Sequence, residues 1–281
     1  MVFSQISFVK TSLALLLSSL VASSITYAQH SCRGLLLPST GDLISSRSEL
    51  LADVISNPKI RFLTWNIQKA QQKDRLGSDL RLLGNESDIM VLQEAVNATY
   101  FVDQLEQFRD ALDWSLSISF QRRSGDFTGV MTGSKTHAAR EEVLVSSVTE
   151  PVSNTPKTIL LSEYAIENSR ETLLVANVHA INFVTQKSFE TQMNQLILKL
   201  ASHQGPLIVA GDFNTWNPYR MAYLQNGLRN LGLQPLDFDR KSFLKLDHVF
   251  VRGLRAGSVT QREDIKSSDH FPIEAELFFE H

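Results

Sequence analysis

From Ile60 to the end of the chain, short apolar runs keep returning, with few segments of helical period between them. Residues 60–65, 89–93, 129–132, 142–147, 158–166, 173–179, 207–210, 247–251 and 273–278 all read as strands. Runs this short, bounded by polar and turn residues, suit buried strands better than helices. Trp114, Leu116, Ile118 and Phe120 alternate with Ser115, Ser117 and Ser119, the period of a strand with one buried face. Helical spacing is confined to Leu76, Leu80 and Leu83, to 100–112, to 183–202 and to 218–231. So many strands with so few helices are best packed as one domain of two β-sheets between helical layers.

The bulk properties agree. The chain has 281 residues, 43% hydrophobic and 20% charged, which supports a full core and excludes a disordered chain. Residues 1–28 read as a secretory signal peptide: Lys10 is the only charge, 11–21 is Leu-rich, and Thr26-Tyr27-Ala28 offers a cleavage site after Ala28. Five serines between Ser12 and Ser24 argue against a membrane-spanning helix. The expectation is an exported protein, periplasmic or secreted, without stable membrane insertion after cleavage. Cys32 is the single cysteine, so no intrachain disulfide forms, and Gln29 argues against an acylated cysteine. Residues 29–57 form a lead-in, where Leu43, Ile44, Leu50, Leu51, Val54 and Ile55 predict a short amphipathic helix ended by Asn57-Pro58. Without its leader the chain carries 26 Lys+Arg against 30 Asp+Glu, a net of −4. That balance disfavours tight, non-specific nucleic-acid binding by counterion release.

Polar residues gather where the apolar runs end. Glu94 follows 88–92; it is a solvated glutamate or an oxygen ligand for Mg²⁺ or Mn²⁺. Asn66 follows 62–65; it caps a turn, or offers its oxygen to a metal or orients Glu94. Gly211 breaks the run 207–210, and Asp212 and Asn214 point the same way if the segment stays extended. Asp212 there can take a proton from an attacking water, and Asn214 can hold that water or a phosphate oxygen. Asp247 can orient His270 as a base or a cationic phosphate contact, whereas His248 faces the other way and reads as structural. His179 and Asn182 either pack or reach a phosphate.

With these residues in view, the chain resembles the endonuclease/exonuclease/phosphatase (DNase I-like) superfamily over residues 58–281. The motifs TWNI (64–67), QE (93–94), NVHAINF (177–183), AGDFNTW (210–216), LDHVFVRGL (246–254) and SDH (268–270) stand in order. TGVMT (128–132) and the stretch from Phe243 bring it nearest the YafD-type bacterial branch. The resemblance implies a four-layer α/β/β/α sandwich of two packed mixed β-sheets, with the strand-end clusters meeting in one cleft. It implies Glu94 as principal metal ligand, assisted by Asn66, with Asp269 completing the metal environment. It implies Asp212 as the residue that activates water beside Asn214, Asp247 paired with His270, and His179 and Asn182 on the phosphate. Gln68 departs from the acidic residue that apurinic endonucleases carry there, and no carboxylate to support His179 is visible.

The expectation is a monomeric Mg²⁺-dependent phosphodiesterase (with Mn²⁺ as the other candidate ion), with nucleic acid favoured as substrate. A phospholipid or small phosphate ester is the alternative. An inactive binding protein or a toxin subunit are the rivals of another class, and the intact Glu94, Asp212 and His270 weigh against the first.

Overall fold

The computed structural model describes residues 26–27, 38–239 and 245–280. The leader and Cys32 therefore lie outside the described residues, apart from Thr26–Tyr27. One sheet runs β1 (Thr26–Tyr27), β2 (Leu43–Ser46), β6 (Asp113–Gln121), β7 (Phe127–Ser134), β5 (Ile89–Val96), β4 (Lys59–Asn66), β15 (Ile273–Phe279), β14 (Leu254–Gln261). The other runs β12 (Gln234–Pro235), β13 (Asp247–Arg252), β11 (Leu207–Asp212), β10 (Thr172–His179), β9 (Thr158–Ile166), β3 (Val54–Ile55), with β8 (Arg140–Val145) also on β9. Both sheets are mixed: β4 is parallel to β5 and β10 to β11, whereas β15–β4 and β11–β13 are antiparallel.

Side-chain alternation divides the core into three. Ile60 and Phe62 of β4, Ile89 and Val91 of β5, Val175 of β10, Ile208 and Ala210 of β11 and Val249 of β13 meet between the sheets. The alternate residues Leu63, Trp65, Met90 and Leu92 pack outward with Leu76, Leu80 and Leu83 of α1 (Lys73–Glu86) and Phe101 of α2 (Thr99–Leu105). Val178, Val209 and Phe250 pack outward on Phe189, Met193 and Leu196 of α3 (Gln186–Leu200) and Leu224 and Leu228 of α4 (Pro218–Arg229). The fold is thus the four-layer α/β/β/α sandwich that the strand-rich pattern implied.

Three expectations need correction, and a fourth element was not foreseen. The helix expected in 43–55 is absent; those residues give β2 and β3, which join the two sheets. Sheet pairing overrides a weak helical period in a segment containing Ile44, Val54 and Ile55, whose β-branched side chains suit strands. The helix expected over 100–112 is α2 followed by a 3-10 turn, Glu106–Phe108. Strand β6 is buried on both faces, because its serine row faces the second sheet: Ser115 Oγ donates to Glu141 (2.8 Å) and Ser119 Oγ meets Thr158 Oγ1 (2.9 Å). A row of small hydroxyls reads as solvent-facing in sequence, yet Ser115 and Ser119 are buried because partners across the sandwich satisfy them, while Ser117 Oγ is buried without one among the described residues. The fourth is β14, an edge strand with mostly exposed residues and no clear apolar alternation, which the pattern did not predict.

Candidate active site

The inner face of several strands changes from apolar to polar as it nears one end of the sandwich. On β4 the inward row is Ile60, Phe62, Thr64, Asn66; on β11 it is Ile208, Ala210, Asp212. β10 ends its row with Asn177 and His179, and β13 begins its row with Asp247. Register aligns these ends. His179 is the partner of Asp212 across β10–β11, and Asp212 of Asp247 across β11–β13. Beneath them, Gln93 Nε2 donates to Asn177 Oδ1 (2.9 Å), tying the sheets together under the cleft.

Two backbone devices re-aim side chains that alternation would send elsewhere. Glu94 follows the inward Gln93, but the β5–β7 register shifts between Leu92 and Ala95 and Glu94 has φ 53°. This bulge turns its carboxylate into the cleft. Asn214 has φ 50°, so 212–214 is not extended as expected. Asn214 instead folds back, its N–H donating to Asp212 Oδ1 (2.9 Å) and its Nδ2 to the carbonyl of Ala180 (2.8 Å). Gly211, at φ 138°, permits the close approach of β10: a Cβ there would lie 2.0 Å from the Val178 carbonyl oxygen.

Around Asp212 the contacts converge. Its Oδ2 accepts from Asn66 Nδ2 (3.0 Å) and lies 3.8 Å from His179 Nε2 and 3.9 Å from His270 Nε2. His270 Nδ1 is held by Asp247 Oδ2 at 2.8 Å. The loop carrying His270 is pinned on the β4 end, through Trp65 Nε1 to the His270 carbonyl (3.0 Å) and Ser268 Oγ to the Asn66 carbonyl (2.6 Å). Asn182 receives Trp216 Nε1 on its side-chain oxygen (3.1 Å) and lines the same cleft, as does exposed Asp269. The cleft encloses about 430 Å³. His248 stands apart, on the outer face of β13, packed at a tilt against Phe213 and Phe250 and bonded to Thr215 Oγ1 (2.7 Å).

The two cleft histidines are driven in opposite directions. Burial, then the charges of Lys157, Lys69 and His270, hold His179 well below the usual histidine range, so it is neutral. Burial also opposes charge on His270, but the bond and charge of Asp247, with Asp212 and Asp269, outweigh it and push its pKa up to about 9. Burial and the charge of Asp247 push Asp212 up to about 7, against the opposing pull of His270 and the bonds from Asn214 and Asn66. A neutral imidazole, an imidazolium and a weakly basic carboxylate therefore share one spot at neutral pH.

A hard divalent cation fits two groupings. Asp212, Asp247 and His270 present ligand atoms within 4.8 Å of one another. However, the His270 Nδ1–Asp247 contact is a hydrogen bond, and Mg²⁺ prefers oxygen donors. Glu94, Asn66 and Asp269 supply oxygen donors lining one cleft, and Glu94 already faces a cation there, the ammonium of Lys69. By donor type alone the second grouping suits the ion better, although the Asn66 oxygen there accepts the Gln68 N–H (3.0 Å).

Sequence reading missed Lys69, Glu150, Lys157 and Arg220. Arg220 is fully buried and donates to the carbonyls of Asn214 (3.1 Å) and Val184 (2.8 Å), joining the two loops that bear Asn214 and Asn182. Nothing in its helical setting signals this. Lys69 and Lys157 stand beside motif residues but in no motif.

Comparison with known proteins follows the same line. The family model described as Endonuclease/Exonuclease/phosphatase family matches residues 63–270. A UPF0294 protein of Vibrio parahaemolyticus is 33% identical over 225 residues, covering 77% of this chain and 77% of that protein. A UPF0294 protein of Yersinia enterocolitica is 32% identical over 229 residues, covering 78% and 83%. An endonuclease/exonuclease/phosphatase from Beutenbergia cavernae superposes with a TM-score of 0.62 at 15% identity, over 79% of this chain and 72% of that one. The human Nocturnin catalytic domain, with a bound sulfate anion, gives 0.61 at 18% identity, over 80% and 95%. At these identities the solved structures speak for the fold alone.

Proposed function

The chain belongs to the endonuclease/exonuclease/phosphatase family, in its YafD-like branch, and from that premise we propose that it is a metal-dependent phosphodiesterase. The observation that carries the reading is Asp212 Oδ2, with the Nε2 atoms of a neutral and a protonated histidine both within 4 Å of it. Glu94, Asn66 and Asp269 would hold a divalent ion, which when bound would neutralise phosphate charge and act as a Lewis acid. Asp212, raised toward neutrality, accepts the proton of the attacking water. Asn66 and Asn214 fix that carboxylate through one bond to each oxygen. His270, kept cationic by Asp247, meets the charge that develops on the phosphoryl oxygens. His179 and Asn182 add uncharged contacts, each well-placed donor worth roughly 2–4 kcal/mol in the transition state.

Nucleic acid is the favoured substrate. Exposed Phe183 lines the cleft and exposed Trp216 bonds Asn182 at its edge, and Trp216 is held against the Arg220 guanidinium (4.5 Å), a setting suited to stacking a base. A small phosphate ester is the second reading, favoured by the net charge of −4 without the leader. The Leu-rich run 11–21 and the small residues before Gln29 support a leader over 1–28 and export to the periplasm or beyond. The test is nicking of supercoiled plasmid by the purified protein with Mg²⁺, beside EDTA and Asp212→Asn controls. Nicking that needs both the metal and Asp212 supports the nuclease reading. A folded protein that leaves plasmid intact removes it.

A further inference from the structure

Phe183 stands in the loop between β10 and α3 with φ 52°. For a bulky side chain this left-handed conformation is an outlier and costs free energy, so the surroundings must impose it. They do so through the backbone. Buried Gln192 accepts the N–H of Ile181 (2.8 Å), Glu150 accepts that of Asn182 (3.1 Å), and the Asn182 side chain accepts that of Phe183 (2.8 Å). Buried Arg220 donates to the Ile181 and Val184 carbonyls on either side (3.4 and 2.8 Å).

The strain does not serve packing, because the Phe183 ring is 76% exposed and adds little to the core. Gln68, Lys69, Glu94 and Asn214 line the cleft with positive φ as well, but they are polar and hydrogen-bonded there. Of the apolar side chains lining the cleft among the described residues, Phe120 and Leu246 are half-buried and Phe183 is exposed. What the clamped loop achieves is position: one aromatic face, fixed in a polar wall. An acyl chain needs a contiguous apolar strip, which this wall lacks. A flat ring with polar edges needs only the one face. A base can cover that face only with a face of its own that no neighbouring base occupies. Such bases occur in single strands, loops and frayed ends, and in supercoiled plasmid where the strands part.

We propose that Phe183 is a specificity-determining residue, a pre-set platform for one unstacked nucleobase beside the phosphate to be cut. This depends on the reading of the cleft as a nuclease site, and it narrows the substrate to single-stranded nucleic acid.

The first test needs no turnover. A short single strand carrying 2-aminopurine is titrated into full-length Asp212→Asn protein with Mg²⁺, and stacking is read as quenching of the base's fluorescence. Adding Phe183→Asn should abolish the quench and weaken binding about fivefold to a hundredfold, the range for one stacked base. Phe183→Tyr should keep both. Asn adopts the left-handed conformation at lower cost than Phe, so Phe183→Asn in the otherwise wild-type protein should leave Tm unchanged or raise it by about 1–3 °C. A fall in Tm would show that the ring holds the loop, and it overturns the platform. So does a quench that is missing with Phe183 present or unchanged by Phe183→Asn.

The second test compares initial rates on a short single strand, on the same strand with tetrahydrofuran abasic sites in place of its bases, and on the duplex. The KM rise in Phe183→Asn should be at least about fivefold larger with bases than without them, and the wild type should prefer the strand to the duplex. Equal KM rises, or a duplex cut as well as the strand, overturn the proposal while metal-dependent cleavage keeps the nuclease reading. If the quench depends on Phe183 but no strand is cut with Mg²⁺, the platform stands and the hydrolase reading falls.

Discussion

Replacing Asp247 by Asn removes the charge that keeps His270 protonated while leaving an oxygen to accept its Nδ1–H. His270 is 15% exposed at the side chain and bonded to Asp247 at 2.8 Å, so solvent screens the pair little. The folded pKa of about 9, against an ordinary 6.5, corresponds to about 3 kcal/mol favouring the imidazolium. Because the folded value is raised, this stability is fully present below about pH 6.5 and is lost as pH rises through about 9. The metal-free wild type should therefore lose about 3 kcal/mol of unfolding free energy across that window from this group. Asp212 and Asp269 also favour the cation, so Asp247→Asn should recover only part of the loss, at least about 1 kcal/mol. Urea titrations of both proteins at pH 6.5 and 9, in EDTA, give the difference; groups away from the site cancel, whereas Asp212, which loses the push of the Asp247 charge, titrates differently in the variant and is followed separately by NMR. NMR titration of the His270 ring reads the same shift directly. A variant with the wild-type slope and an unchanged His270 titration would refute the pairing as the source of the charge, and with it the cationic role proposed for His270.

Other outcomes follow from the same geometry. Asp212→Asn keeps one acceptor oxygen and sets an amide NH2 against the other donor, Asn66 Nδ2 or the Asn214 N–H, so it should fold with a loss of about 1–3 kcal/mol while turnover falls by about two to four orders of magnitude; circular dichroism with urea unfolding and initial rates check both halves. Glu94→Gln should raise the Mg²⁺ concentration for half-maximal activity at least about tenfold, and EDTA should abolish wild-type activity reversibly, both read from a Mg²⁺ titration. Gly211→Ala places a methyl 2.0 Å from the Val178 carbonyl at φ 138°, and it should cost about 3 kcal/mol in urea unfolding.

Legibility of the site followed chain periodicity. Asn66, His179, Asp212 and Asp247 were readable because each extends or ends a strand row whose parity puts it on the inner face. Glu94 was readable only as a residue following a strand; alternation alone would have turned it outward, and the bulge at 92–95 reverses that. Lys157 and Glu150 were not readable, since neither belongs to a repeating pattern and their pairing depends on two loops meeting. Arg220 was hidden for the same reason: its partners are backbone carbonyls of distant loops, and a carbonyl has no sequence signature.

By itself the sequence determined the layering and the motifs, because local periodicity decides which face of an element is apolar, and burial of that face leaves few architectures. Only the tertiary structure decided the chemistry of the site. Protonation states depend on distances of a few ångströms between residues that are far apart in the chain, His270 beside Asp247 and Asp212, His179 beside Lys157. Sheet register and loop packing set those distances, and a residue pattern along one strand does not encode them.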